Sequence, residues 1–503
     1  VNFVGDAASD TDTLTLQAGF TNNITVDLDA QLADSVNSIV ATNYTGVLTV
    51  TAADSDLNDA ATGGALLTIT GGTGSDKIQV TAGGGTVAGA ELASVTKIET
   101  FEIIANGTNS TNISFADENT ASTETLTVDA SAMSVGVTLS AALEVDGKVS
   151  ITGGSGDDAI VGSASTNFGD TIVGGAGNDT VSFGNGDLTA VDSVDGGAGS
   201  NTLSFNENVS HALVDEDFTL VSNMQTLTTA AGDVISATIG TEAAGAGINT
   251  VTFAQASAAG GHDTLVVAAG FTNTLTVNLD DDADANSVDA SAYTGTLTVA
   301  AADTSLEGHQ LVTITGGTGS DTLQITADAD TDLIEDSDIA NVSKIETIQF
   351  LETASTTATA DIELHDANAT YTSATVYDTI TVDSTALSGR SLINAVAELD
   401  AKVVINTGAG ADIITGSASA NFGDSITSGA GNDTLKFAYD GLTSADTVTA
   451  GAGTDTLEIT SAGAVADSAF TSITGIETVT TTADTRMTGL TLGSNAAAAG
   501  VTT

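Results

Sequence analysis

Glycine and aspartate recur in one fixed spacing along this chain. Within Ile151–Phe205, turns of the form Gly-Gly-x-Gly-x-Asp/Asn begin at Gly153, Gly174 and Gly196 and end on Asp158, Asp179 and Asn201. A second block ends on Asp412, Asp433 and Asp455, and single turns end on Asp76 and Asp321. Glycine at two or three of six positions excludes a helix, and aspartate cannot supply a core. The spacing instead builds a tight turn whose carbonyls point inward beside a carboxylate. Hard oxygen donors of this kind suit calcium. The candidate ligands are therefore Gly153, Ser155, Asp157 and Asp158 in the first turn, Gly174, Ala176 and Asp179 in the second, and Asp195 and Asn201 around the third. Asp412, Asp433 and Asp455 serve in the second block, with Asp76 and Asp321 as isolated counterparts.

A short apolar-x-apolar run follows each turn, as in Ala159-Ile-Val161 and Thr180-Val-Ser-Phe183. Alternation with period two is the mark of a half-buried strand. Turn, strand, turn, strand at a steady period describes an all-β, parallel β-solenoid of the β-helix or β-roll type. The glycine turns lie a little more than two nonapeptides apart, so each coil needs a second, looser turn. Those fall at Gly162–Asp170, Gly184–Asp192, Gly416–Asp424 and Tyr439–Asp446, which adds Asp170, Asp192, Asp424 and Asp446 to the candidate ligands. Glycine and aspartate also make tight corners without any metal, so the spacing is stronger evidence for turns than for ions.

Long repeats divide the chain in two. Gly19–Asp29 returns as Gly270–Asp280, Ile69–Asp76 as Ile314–Asp321, and Gly162–Asp170 as Gly416–Asp424, an offset of about 250 residues. The expected units are 1–250, with its glycine block at 151–205, and 251–503, with its block at 405–459. A strand of the Ile-Glu-Thr type recurs at Val95–Ile103, Val221–Thr229, Val342–Phe350 and Ile473–Thr481. Lys97 and Lys344 precede two of these strands and suggest a salt bridge to an acidic loop or a lateral contact. Phe168 and Phe422, in matched Asn-Phe-Gly-Asp turns, are expected to plug the core. Single helical turns are expected at Asp215–Val221, Ala329–Ile339 and Leu392–Leu399. The chain starts and stops at equivalent points of the repeat, which leads us to expect a segment of a longer tandem array or a subunit stacking head to tail.

Composition narrows the function. The 503 residues carry 66 Asp+Glu against 8 Lys+Arg, a formal charge of -58. Such acidity argues against nucleic acid and against anionic membrane surfaces. Hydrophobic residues still reach 41%, enough to bury a core, so the charge does not imply disorder. With no Cys, stapling falls to metal ions or to repetition itself. No apolar run is long enough to span a membrane. The four His are scattered, no nucleophile motif occurs, and basic residues for a uronate substrate are nearly absent, so no enzyme is expected. Thr-x-Thr runs would suit ice or mineral binding, but threonine on strands is ordinary β propensity.

The glycine turns, the segment Asp289-Ala-Ser-Ala-Tyr-Thr-Gly-Thr-Leu-Thr-Val299 and the recurring Ile-Glu-Thr strand resemble bacterial RTX-type surface-layer proteins and large RTX adhesins. The resemblance implies a right-handed parallel β-solenoid, type I secretion to the cell surface, Ca2+ as the cofactor, and assembly with copies of itself. Cell-surface polysaccharide is a further partner it suggests. A surface-layer lattice and an adhesin stalk, with its binding domain elsewhere, remain alternatives at this point.

Overall fold

A computed structural model describes residues 13–28, 38–57, 67–120, 124–184, 186–205, 211–229, 234–253, 262–279, 286–306, 312–327, 333–352, 358–368, 379–419, 421–482 and 487–502. The chain divides into two compact units, Val1–Thr250 and Val251–Thr503. Both are parallel β-solenoids with few helices.

In the first unit each coil of the glycine block holds two strands. Lys148–Thr152 runs into the first glycine turn, Ala159–Val161 leaves it, and a looser loop leads to Thr171–Val173 on the next coil. Strands that enter glycine turns stack on one another in register, so Ile151, Ile172, Val194 and Val221 form one apolar column. Strands that leave the turns form the facing column, Leu139, Ile160, Val181, Leu203 and Leu227. The second unit repeats the plan with Ile405, Ile426, Val448 and Ile473 facing Ile393, Ile414, Leu435, Leu457 and Val479. Most of these side chains are fully buried, and each contributes roughly 1.5–3 kcal/mol by leaving water. Branched Ile and Val suit this stacking, because the same narrow rotamer repeats from coil to coil.

The looser loops differ from expectation at their aromatic residues. Phe168 and Phe422 are only half-buried. The rings that fill the core at this level are Phe183 and Phe437, which lie where a side chain at Gly162 or Gly416 would have to go. Phe168 and Phe422 sit in the loop itself, where the chain turns outward before the buried Asp170 and Asp424.

Helical content is small and partly elsewhere than the sequence suggests. A 3-10 turn spans Asp215–Phe218. Leu392–Leu399 is not helical: Ser391–Asn394 is a strand, and Ile393 pairs in register with Ile362 and Ile414. The apolar column outweighs the local helical spacing. Ala329–Ile339 lies partly outside the described residues, and within it Ile334 makes an isolated parallel bridge to Ile362. Two six-residue helices, Thr241–Ala246 and Ser494–Ala499, occupy equivalent places in the two units. Asp215 and Asp467 cap their N-termini from the preceding coil, through bonds of 2.7 Å from Gly240 N and Gly493 N. Left-handed Gly247 and Gly500 end them.

Candidate metal centres

Every glycine-turn aspartate points inward and accepts hydrogen bonds from backbone N–H groups. Asp158 Oδ1 accepts from Val137 N of the preceding coil at 2.9 Å. Asp158 N in turn donates to Asp179 Oδ1 at 2.9 Å, and Asp179 N donates to Asn201 Oδ1 at 2.9 Å. Asn201 N donates to Gln225 Oε1 at 2.7 Å. The second unit builds the same ladder from Ser391 N through Asp412, Asp433 and Asp455 to Glu477 Oε2. Asp76 and Asp321 make one-step versions that end on Glu99 and Glu346. The acid or amide of each Ile-Glu-Thr-type strand is thus the terminator of a ladder. Its spacing was visible in the sequence, but its role was not.

The second carboxylate oxygen separates the turns into two kinds. In Asp76, Asp158 and Asp321 it accepts from Gly72 N, Gly154 N and Gly317 N, at 2.5, 2.6 and 2.6 Å. These carboxylates are saturated by the backbone. Asp179, Asp412, Asp433 and Asp455 each keep a buried Oδ2 outside hydrogen-bond geometry; the Thr407 and Ser428 hydroxyls lie near Asp412 and Asp433 but donate to Ser428 O and Ala450 O. An ionised oxygen held in that state is costly unless a cation or a proton meets it. Burial raises the proton affinity of Asp179, Asp412, Asp433 and Asp455 above the usual carboxylate range.

Backbone geometry divides the turns along a different line: the Asn201 turn has left-handed glycines and the Asp412 turn has none. Gly175 and Gly177 have φ of 115° and 133°, in the left-handed region that L side chains avoid. A Cβ at either would collide with the carbonyl oxygen of Gly154 or Gly156 one coil earlier. Equivalent positive φ values occur at Gly197, Gly199, Gly429, Gly431, Gly451 and Gly453, but not at Gly72, Gly154, Gly317 or Gly408. Carbonyls of the preceding coil close on the turn glycines of every kind, Met133 O at Gly154 as well as Gly154 O at Gly175. Unpartnered carboxylate oxygens beside packed carbonyls make a donor set that fits Ca2+. Of the other candidates, Gly153 and Ser155 lie in the saturated Asp158 turn and Gly174 and Ala176 in the Asp179 turn, with Ser155 N bonded to Met133 O and Ala176 N to Gly154 O.

The remaining candidates have hydrogen-bonding roles here. Asp157 Oδ1 accepts from Asn178 N at 2.6 Å, the first rung of an outer ladder that Asn178 continues to Ser200 N; in the second unit Asn432 makes the matching bond with Thr454 N. Asp195 Oδ1 accepts from Gly197 N and Asn223 Nδ2. Asn201 offers no free oxygen, because its Oδ1 accepts from Asp179 N while its Nδ2 donates to Asn223 O. In the looser turns Asp170 accepts from Ser163 N and Oγ, and Asp192 from Asp170 N and Thr189 N. Asp424 and Asp446 repeat this with Ser417 and Thr443. Burial pushes Asp170 and Asp424 up to about 6 despite these bonds.

Lys97 and Lys344 owe their place to the backbone. Both have φ of 54°, as Asn223 has 56° and Gly475 78° at the matching position of the other Ile-Glu-Thr-type strands. The Lys97 and Lys344 carbonyls press on Gly71 and Gly316. Neither lysine takes part in the ion pairs found among the described residues, Lys77–Glu102, Arg390–Asp361 and Lys436–Glu458. The electrostatic reach of Lys344 extends to Asp289, whose carboxyl is held low chiefly by the Ser291 hydroxyl and N–H.

A stacked two-strand coil with inward aspartates at glycine corners defines a β-solenoid of the calcium-repeat class. The RTX calcium-binding nonapeptide repeat family matches the chain in four copies, at residues 146–168, 166–187, 404–435 and 439–458. The chain thus carries RTX repeats in both units. The matches span the turns ending on Asp158, Asp179, Asp412, Asp433 and Asp455, and leave out those ending on Asp76, Asn201 and Asp321. Neither the curated proteins nor the solved structures gave a match to the chain.

Proposed function

We propose that this chain is a structural, extracellular, calcium-stabilised repeat segment of a bacterial surface layer or filamentous array. The observation that carries the reading is the row of unpartnered, buried carboxylate oxygens at Asp179, Asp412, Asp433 and Asp455 in a chain of charge -58. Such a solenoid repels itself until cations enter its corners, so its rigid state belongs where calcium is abundant. RTX repeat proteins are typically secreted, and among the described residues no helix is long and apolar enough to cross a membrane. Copies of the same chain are the natural partners, since a solenoid presents repeated flanks rather than a single cleft. The role is structural and not catalytic. A stalk bearing an adhesive domain outside this chain is the alternative.

Two measurements test it. Calcium added to chelated protein is expected to raise the thermal midpoint sharply, with β structure followed by circular dichroism, and an unchanged midpoint would remove the calcium role. Electron microscopy of calcium-loaded protein on a lipid or polysaccharide support is expected to show ordered arrays. Isolated rods at every concentration would favour the stalk.

A further inference from the structure

A second group of carboxylates repeats in both units outside the glycine turns. Asp117, Glu144 and Asp146 each bring an oxygen to within 4.8 Å of the other two, and so do Asp366, Glu398 and Asp400. The two sets stand in matching sequence, Phe-Ala-Asp-Glu-Asn with Glu-Val-Asp-Gly-Lys against Leu-His-Asp-Ala-Asn with Glu-Leu-Asp-Ala-Lys. In each set one coil supplies the first aspartate and the next coil supplies the Glu-x-Asp loop. That loop lies between strands Thr138–Ser140 and Lys148–Thr152 in the first unit, and between Ser391–Asn394 and Lys402–Thr407 in the second. The strand that follows leads directly into the first glycine turn of the block.

The glutamate is the informative member. Glu144 and Glu398 are fully buried. Oε1 of Glu144 accepts from Asp146 N and Gly147 N at 3.1 and 2.7 Å, and Oε1 of Glu398 accepts from Asp400 N and Ala401 N at 3.1 and 3.0 Å. Two N–H groups thereby fix each carboxylate, while its Oε2 is left buried without a partner. Asp400 Oδ1 is unpartnered as well. The first aspartate is held by the loop it faces, through Val145 N to Asp117 Oδ1 at 3.0 Å and Leu399 N to Asp366 Oδ1 at 3.1 Å. Asn119 and Asn368 lock its turn from behind, each donating to two carbonyls of the coil before. Among the described residues no ion pair involves any of the six carboxylates.

We propose that Asp117, Glu144 and Asp146, and in the second unit Asp366, Glu398 and Asp400, form a second kind of calcium site, at the loop corner that precedes each glycine block. The donors are all carboxylate oxygens, which excludes a preference for soft or nitrogen-loving metals. Oxygens all within 4.8 Å of one another can reach a single calcium ion at a Ca–O distance of about 2.4 Å. Water completes the shell on the exposed side, where Asp146 and Asp366 lie. The ion would join two coils at the point where the glycine block begins.

The test is a count of bound calcium on the full chain by equilibrium dialysis against 45Ca2+, with magnesium in excess. Glu144→Gln and Glu398→Gln are each expected to remove one ion, and together two, while circular dichroism in calcium stays that of the parent. Asp179→Asn with Asp433→Asn serves as the control for the glycine turns, and its losses are expected to add to those of the glutamate variants. An unchanged count and affinity in the folded double glutamate variant would overturn the proposal, whatever the glycine turns do. If that variant fails to fold, the exposed pair Asp146→Asn and Asp366→Asn decides. Two sites weakened by about tenfold or more support the proposal, as expected when a ligand charge is removed, and no change overturns it.

Discussion

Single carboxylates in this chain perform two tasks that the same motif letter conceals. Asp158 ties Val137 N and Gly154 N, so Asp158→Ala leaves two buried N–H groups without partners. It is expected to lower chelated stability by about 2 kcal/mol, read as a shift in the denaturant midpoint. Asp179→Asn keeps an acceptor for Asp158 N but removes the unpartnered charge. It is expected to leave chelated stability equal or higher and to weaken calcium binding, in a titration followed by the thermal midpoint. A lysine at φ of 54° pays for its left-handed backbone, so Lys97→Gly and Lys344→Gly are expected to stabilise by about 1 kcal/mol. Gly475→Lys should cost a similar amount, and denaturant midpoints in calcium would show both signs.

At the level of turns and strands, the sequence carried the architecture because its period is short and its signals agree. Glycine spacing, alternating Val, Ile and Leu, and the long repeat all require stacked coils, and the register of Ile151, Ile172 and Val194 follows from them. The ladders were less legible. Nothing in Gly-Gly-x-Gly-x-Asp distinguishes Asp158, whose second oxygen takes Gly154 N, from Asp179, whose second oxygen takes nothing; φ is positive at Gly175 and not at Gly154, a backbone difference the letters do not show. The Glu-x-Asp corners were invisible for another reason, since Asp117 and Glu144 are 27 positions apart and meet only through stacking. The helical turn expected at Leu392–Leu399 gives way to the strand Ser391–Asn394, because the pair Leu392-Ile393 is too short to show a period of its own. The glycine turns also give a sharp contrast. Gly175→Ala or Gly177→Ala meets a carbonyl and a forbidden φ together, and is expected to cost about 3 kcal/mol or more. Gly84→Ala, at φ of 90° with open space around it, should cost about 1 kcal/mol, both read from denaturant midpoints.

For the whole molecule, buried carboxyls set the response to pH. Asp170 and Asp424, raised from 3.8 to about 6, bind protons more tightly in the folded chain than in the unfolded one. The stability they contribute is full below the unfolded value near 3.8 and is lost as pH rises through about 6. Chelated protein is therefore expected to melt at a lower temperature at pH 7 than at pH 4.5. Calcium should reverse that order, because it binds only the ionised form. Midpoints that are flat with pH in chelator would contradict the burial of these groups.

The carboxylate ladder also gives the solenoid a direction. Each rung runs from an N–H of one coil to an oxygen on the coil that follows it, from Val137 to Asp158, Asp179, Asn201 and finally Gln225. A stack growing from its N-terminal side always ends on an amide hydrogen awaiting an acceptor. A stack growing from the terminator backwards ends instead on an open side-chain oxygen, an amide at Gln225 and Asn201 and a carboxylate at Asp179 and Asp158, which a cation can cap. The two faces of a partly wound solenoid are chemically unlike, and only growth towards the N-terminus leaves a front that calcium can hold.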